Sequence, residues 1–281
     1  MNKRIQFSFM LVVCGSLAAC DVSEDLGDSA DLQLEEVTQV AAVAVWPPEV
    51  ASETELELAV VTEADELEVS IAADPYSIVH KVKKPRPEHL IGWTRWAVSQ
   101  PYDDGAIADP TGEKCAMGQQ GRFWYLAGTF GGPVERECSI PVGKTLVFPL
   151  KNNWCVFPSE YYPDQASIDA ALPGLEAWSD FVRSETCELT LRIDGHEVRS
   201  SLEELDEDFY IKVFEPFEIN LHEEHWAPDY FAGSVMPATG FGHYAVVKPL
   251  PPGDHVIELG GKRCGNYPFD TYAKYLLHIG N

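Results

Sequence analysis

Residues 222–226 read His-Glu-Glu-His-Trp, and two histidines around two carboxylates are side chains that bind zinc. A zincin needs His-Glu-x-x-His, which sets its two histidines four apart on one helical face. Here the fifth residue is Trp226, so the motif is one residue short. The preceding FEPFEINL reads as strand and the following WAPDY as loop, and on a strand residues three apart point to opposite faces. The segment is therefore expected to be an exposed polar turn. The alternative keeps His222 and His225 as zinc ligands, with Glu224 or His255 completing the set and one position open for a hydrolytic water.

Other catalytic patterns are weaker. GSVM around Ser234 lacks the second glycine of a nucleophile elbow. LAGTFGGP leads into a strand, where a phosphate loop must open a helix. Asp103, Asp104 and Asp109 in YDDGAIADPTGE are candidate calcium ligands without the regular spacing of an EF-hand. Trp154, Tyr161, Tyr162 and Trp226 lie in loop-like contexts and are candidates for a surface that stacks on a ligand. Trp93, Trp96 and Trp178 recur at helical spacing and are expected in the core.

These residues need a scaffold, and the sequence outlines one from residue 85 to 281. PEHLIGWTRWAVSQP places Leu90, Trp93, Trp96 and Ala97 at helical spacing between two prolines. RFWYLAGTF and VERECSIP flank Gly131-Gly132-Pro133 and read as a hairpin. Ile168, Leu172, Leu175, Trp178 and Phe181 mark a helical stripe that Pro173 is expected to divide in two. The remaining segments, from CELTLRIDGHEV to TYAKYLLHI, are strand-like. HYAVVK and HVIELG read as a closing hairpin joined by PLPPGD. Many short strands with Gly, Pro and Asp turns predict a mainly β fold, an antiparallel β-sandwich or jelly roll with a few short helices.

The chain before this body is different in kind. MNKR, the apolar run IQFSFMLVV and the small residues LAAC form an export signal, too short to span a bilayer stably. Ending in Leu-Ala-Ala-Cys, it resembles a bacterial lipoprotein signal. That resemblance implies removal of residues 1–19 and lipidation of Cys20. Residues 20–84 are read as an acidic disordered stalk. Positions 21–80 hold sixteen Asp and Glu and neither Lys nor Arg, a composition that cannot bury enough apolar surface to offset ordering. The net charge of −25 excludes a nucleic-acid partner, since phosphate contacts need cations.

Export implies an oxidising compartment, so the body cysteines Cys115, Cys138, Cys155, Cys187 and Cys264 are expected to oxidise where geometry allows. Since five is odd, at least one is expected to stay free or to pair with another chain. Sequential pairing, Cys115 with Cys138 and Cys155 with Cys187, closes modest loops, but other arrangements remain open. None of the spacings is Cys-x-x-Cys, which argues against a structural zinc site.

GWTRWAVSQP, DPTGEKCAMGQQGRFWYLAG, RECSIPVGKTLVFPLKNN and PLPPGDHVIELGG together resemble a family of bacterial exported hypothetical proteins over about residues 90–280. The resemblance implies that Cys115 and Cys138 belong to the family's core signature, which favours pairing them. It implies no catalytic residue. The resulting expectation is a protein lipid-anchored to the cell envelope, at the periplasmic face or the outer membrane. Its body would be a non-enzymatic binding or envelope-structural module for carbohydrate or protein, with the metal-assisted hydrolase as the alternative.

Overall fold

The computed structural model describes residues 13–16, 81–225, 233–265 and 268–280. Its strands are β1 Val13–Ser16, β2 Val82–Lys83, β3 Phe123–Tyr125, β4 Gly132–Pro141, β5 Thr145–Val156, β6 Thr186–Ile193, β7 His196–Glu197, β8 Tyr210–Asn220, β9 Val235–Val247, β10 Gly253–Arg263 and β11 Phe269–Gly280. Among the described residues three helices interrupt them: α1 Pro87–Val98, α2 Gln165–Ser184 and α3 Leu202–Phe209. The fold is mainly β, two sheets packed as a sandwich. The acidic stretch 21–80, Cys20 and Trp226 lie outside the described residues.

The first sheet is built on the antiparallel pair β5–β9. β3 (parallel) and β1 (antiparallel) line the free edge of β5, and β8 and β2 line that of β9. The second sheet runs β4-β11-β10-β6-β7, with β4 and β11 parallel and its other neighbours antiparallel. Val82 of β2 is buried in the sandwich core, so the body takes in residues that the sequence reading leaves to the stalk. Residues 13–16, assigned above to a cleaved leader, pair with Asn153–Val156 of β5.

Both faces of the first sheet are covered, which explains its unbroken apolar runs. Leu146, Phe148, Ala245 and Val247 face the second sheet, where Ile257, Leu259, Ala273, Tyr275 and Leu277 meet them. Alternate residues Val147, Tyr244 and Val246 meet Leu90, Trp93 and Trp96 of α1. Each such side chain contributes roughly 1.5–3 kcal/mol on leaving water. α1 begins with Pro87 after an extended Arg86 and leads its stripe of Leu90, Trp93 and Ala97 onto the sheet. The last strand alternates as its pattern predicts, with Ala273, Tyr275, Leu277 and Ile279 inward.

Three local expectations are corrected. The two presumed hairpins are crossovers, since β3 and β9 belong to the first sheet and β4 and β10 to the second. The prolines of PLPPGD lack the N–H groups a ladder needs, and the chain uses that segment to change sheets. α2 runs unbroken through Pro173. That proline and Asp169, whose carbonyl loses its intrahelical partner, both face solvent, where water replaces the bond.

Among the described residues Cys115 is bonded to Cys138 and Cys187 to Cys264. The expected Cys155–Cys187 pairing is therefore wrong, and Cys155 is itself disulfide-bonded elsewhere. The cause is topological. Thr186 pairs with Arg263 across β6 and β10, which brings Cys187 and Cys264 together at 5.8 Å between Cα atoms, whereas Cys155 lies on the other sheet.

Candidate functional site

The histidines of HEEH do not assemble a metal centre. They follow β8 and are stapled to the end of α1. The His222 N–H donates to the Val98 carbonyl at 2.9 Å, and the Tyr102 N–H donates to the Glu224 carbonyl at 2.9 Å. His222 Nδ1 accepts from the Glu224 N–H at 3.0 Å. His225 turns inward and lies edge-on to Trp154, with ring centroids 5.9 Å apart. Burial, with the charge of His222 a lesser cause, pushes its imidazole down to about 4. His255 is on β10 of the second sheet, where Asp194 at 2.8 Å and the Pro251 carbonyl at 3.0 Å occupy its two ring nitrogens. Among the described residues no three His, Cys, Asp or Glu side chains are placed to hold a metal ion. The expected zinc set of His222, Glu224, His225 and His255 is not brought together: His225 turns in beside Trp154, away from its exposed neighbours, and His255 is held on the other sheet.

The calcium loop is corrected too. Asp109 is saturated by its own chain, accepting from the Thr111 N–H at 2.8 Å, the Thr111 hydroxyl at 2.7 Å and the Lys114 N–H at 2.8 Å. Asp104 is ion-paired to Lys114. The aromatic surface also fails to form. Trp154 is 7% exposed and Tyr162 3%, the latter packed on Phe157 at 5.1 Å, because α2 and the 222–225 loop cover that end of β5. Tyr161 alone of the described three is exposed, at 41%.

What the fold does gather is a set of charged groups at the junction of the two sheets. α3 starts at Ser201, whose Oγ accepts from the Glu204 N–H at 3.2 Å, and its acidic first turn suits the positive end of the helix. One and a half turns on, it presents Asp206. Arg183 in the last turn of α2 donates to Asp206 through Nε (3.0 Å to each carboxylate oxygen) and Nη2 (2.7 Å). His243 of β9 places Nε2 2.7 Å from Asp206 Oδ1. Burial pushes the Asp206 carboxyl up, but hydrogen bonds from His243 and Arg183 outweigh it and hold it well below the usual carboxylate range.

That ionised carboxylate selects the imidazole tautomer with the proton on Nε2. Burial lowers the His243 pKa against the pull of Asp206, and its buried Nδ1 meets no hydrogen-bond partner among the described residues. Tyr210 of β8 closes the group. Its ring lies 4.3 Å below the Arg183 guanidinium, its hydroxyl donates to the Ser179 carbonyl at 3.1 Å, and burial pushes it up to about 12.

Lys151 of β5 stands behind this network. The β5–β9 register shifts between Pro149 and Lys151, and such a bulge re-aims the side chain beside it. Gly242 of β9 permits the close passage: its φ is +146°, and a Cβ there would stand 2.4 Å from the Lys151 carbonyl oxygen. Lys151 Nζ donates to the Thr186 hydroxyl at 2.5 Å and to the Val182 carbonyl at 3.3 Å. Burial pushes the amine down to about 8. The Arg263 charge adds to this, while Asp206 and Glu185 oppose it.

In front of Lys151 and Asp206 lies an open cleft of about 430 Å3 lined by Arg183, Thr186, Ser201, Leu202, Glu203 and Asp206. The sequence reading placed none of these residues in a site. A usable signal existed in Lys151, a cation that follows the apolar run LVFPL, and in His243 within FGHYAVV. Asp206 carried no signal, being one acid of five in LEELDEDF. The arrangement offers fixed hydroxyls, carboxylates and a guanidinium around one apolar side chain, the polar fringe of a small-molecule site. No family model, no curated protein and no solved structure matches the chain.

Proposed function

We propose that this is an exported, lipid-anchored protein whose body binds a polyhydroxylated ligand, a carbohydrate, in the cleft between α2, α3 and β6. The carrying observation is the lining of that cleft. Thr186 and Ser201 supply hydroxyls, Glu203 and Asp206 carboxylates, and Arg183 a guanidinium already oriented by Asp206. Carboxylates accept from vicinal hydroxyls while a guanidinium donates to them, and prepositioned partners reduce the ordering cost of binding. Leu202, exposed at the rim, offers the apolar contact that a sugar ring's C–H face uses. The abundant negative charge disfavours polyanions.

Export is supported by the leader ending at Cys20 and by the Cys115–Cys138 and Cys187–Cys264 disulfides, which are compatible with an oxidising compartment. Among the described residues no helix is long and apolar enough to cross a membrane, so the proposed attachment runs through acyl chains on Cys20. The family resemblance of the body to bacterial exported proteins agrees with this placement. Cleavage before Cys20 would remove β1 and open the Asn153–Val156 edge of β5.

The test is calorimetric titration of the full chain with a panel of neutral saccharides. Glu203→Gln, an exposed change in the first turn of α3, is expected to weaken binding by about tenfold or more, as loss of a charge-assisted hydrogen bond does. Absence of saccharide binding, or binding indifferent to Glu203→Gln, would reject the reading. Fatty-acid labelling lost on Cys20→Ser checks the anchor.

A further inference from the structure

Lys151 Nζ donates to the Thr186 hydroxyl, which itself donates to the Val182 carbonyl at 3.2 Å; once the amine loses its proton, it can instead accept from that hydroxyl. Thr186 lines the cleft, and Lys151 lies behind it, 2.5 Å from its Oγ1 and almost wholly buried. We propose that Thr186 and Lys151 form a nucleophile–base pair that removes acyl groups from carboxylic esters bound in this cleft. The inference rests on the carbohydrate reading only for the alcohol half of the substrate, an O-acylated sugar. Hydroxyl–lysine pairs are a known solution to acyl transfer, requiring only that the amine reach the hydroxyl proton and be neutral.

The surroundings favour that state. The groups acting on the amine are Arg263 from β10, Asp206 from α3, Glu185 at the end of α2 and His243 from β9. Burial, and after it the Arg263 charge, drives the proton off, and the two carboxylates retain it less strongly, which leaves a usable neutral fraction near neutrality. The backbone of the nucleophile is fixed as well. Cys187, the next residue, is disulfide-bonded to Cys264, and Arg263 pairs with Thr186 across the sheet.

The reaction balances without a co-reactant other than water. Thr186 Oγ1 attacks the ester carbonyl carbon as its proton passes to neutral Lys151 Nζ. The tetrahedral adduct places negative charge on the carbonyl oxygen, and the guanidinium of Arg183 in the same cleft supplies the opposing charge. Collapse breaks the carbon–oxygen bond to the sugar, whose alkoxide takes the proton from the Lys151 ammonium. Water then attacks the acyl-threonine with Lys151 again as base, which releases the carboxylic acid and restores Thr186.

The test uses the full chain and p-nitrophenyl acetate, which needs no sugar. We expect nitrophenolate release above the buffer blank, rising as pH passes through about 8, where Lys151 loses its proton. Thr186→Val and Lys151→Met should each lower the rate by roughly a hundredfold or more, while Thr186→Ser retains activity. Peptide mass mapping should find the acetyl group on Thr186. Release no faster than the blank, activity unchanged in Thr186→Val, or acetyl found on Lys151 would overturn the proposal. The Thr186 pair keeps the test decisive if Lys151→Met fails to fold. Saccharide binding retained by an inactive wild-type chain would reject the ester chemistry and leave the binding reading standing.

Discussion

His243 Nε2 lies 2.7 Å from Asp206 Oδ1, and the imidazole is sealed from solvent. Both groups, with buried His225, bind protons less readily in the folded chain than in the unfolded one. The sign follows from linkage: where the unfolded state takes up more protons, stability falls as pH falls. Unfolded histidines protonate near 6.5, while folded His225 waits until about 4. Stability should therefore decline as pH drops below 6.5, with His225 contributing up to about 3 kcal/mol of that loss. A second decline should begin below 3.8, as unfolded Asp206 protonates. Urea unfolding at a series of pH values reads both stages. His225→Phe should shrink the first and leave the second.

Arg136 is buried and, among the described residues, pairs with no carboxylate. Its guanidinium donates to the carbonyls of Asp109, Ala127, Gly128 and Ile107 and to the Tyr275 hydroxyl, at 2.7–3.0 Å. It thereby ties the 101–130 segment, which has little regular structure of its own, to β4. A lysine has three donors on one atom and cannot reproduce the planar fork. Arg136→Lys should cost about 3 kcal/mol or more through buried carbonyls left unpaired, and Arg136→Met at least as much. Loss of near-ultraviolet dichroism from the Trp96 region, with the urea midpoint, measures it.

The strands were legible where the pattern depends on neighbours in the chain, as in the alternation of Ala273, Tyr275, Leu277 and Ile279. Strand partners were not. HYAVVK and HVIELG adjoin in sequence and are both apolar, yet the first belongs to a sheet buried on both faces and the second to its neighbour. Nothing within those residues distinguishes a hairpin from a crossover. The same limit hid the cleft. Lys151, Arg183, Thr186, Asp206 and His243 come from five elements and share no spacing. The histidines of HEEH attracted notice because they are adjacent, whereas His255 is held on the other sheet by Asp194. Trp154 and Tyr162 read as surface residues because the covering elements, α2 and the loop after β8, are distant in sequence.

The cysteines give a prediction that separates the sequence expectation from the structure. Peptide mapping without reduction should recover Cys187 linked to Cys264 and Cys115 linked to Cys138, with no Cys155–Cys187 peptide. The two bonds differ in the chain they close, with sequence separations of 77 and 23. On the chain-entropy account these restrict the unfolded state by about 4.5 and about 3.4 kcal/mol. The double variant Cys187→Ala/Cys264→Ala should therefore lose about 1 kcal/mol more than Cys115→Ala/Cys138→Ala, read from urea unfolding of each.

Gly242 connects the fold to the cleft. Its φ of +146° is open to glycine alone among ordinary residues, and the 2.4 Å approach to the Lys151 carbonyl leaves no room for a methyl group. The next residue is His243, and the atom that would be struck belongs to the lysine behind Thr186. Gly242→Ala must push β9 away from the bulge in β5 or twist its own backbone, at a cost of about 1–3 kcal/mol. Either movement displaces Lys151 or His243 from its partner. The expected outcome is a lower melting temperature together with weakened saccharide binding. Gly143→Ala is the control: that glycine also has a positive φ, +83°, but a Cβ there meets no atom within 4 Å. It should lose stability by a similar backbone strain while leaving the cleft's affinity unchanged, and equal loss of affinity in both variants would break the link drawn here between the bulge and the site.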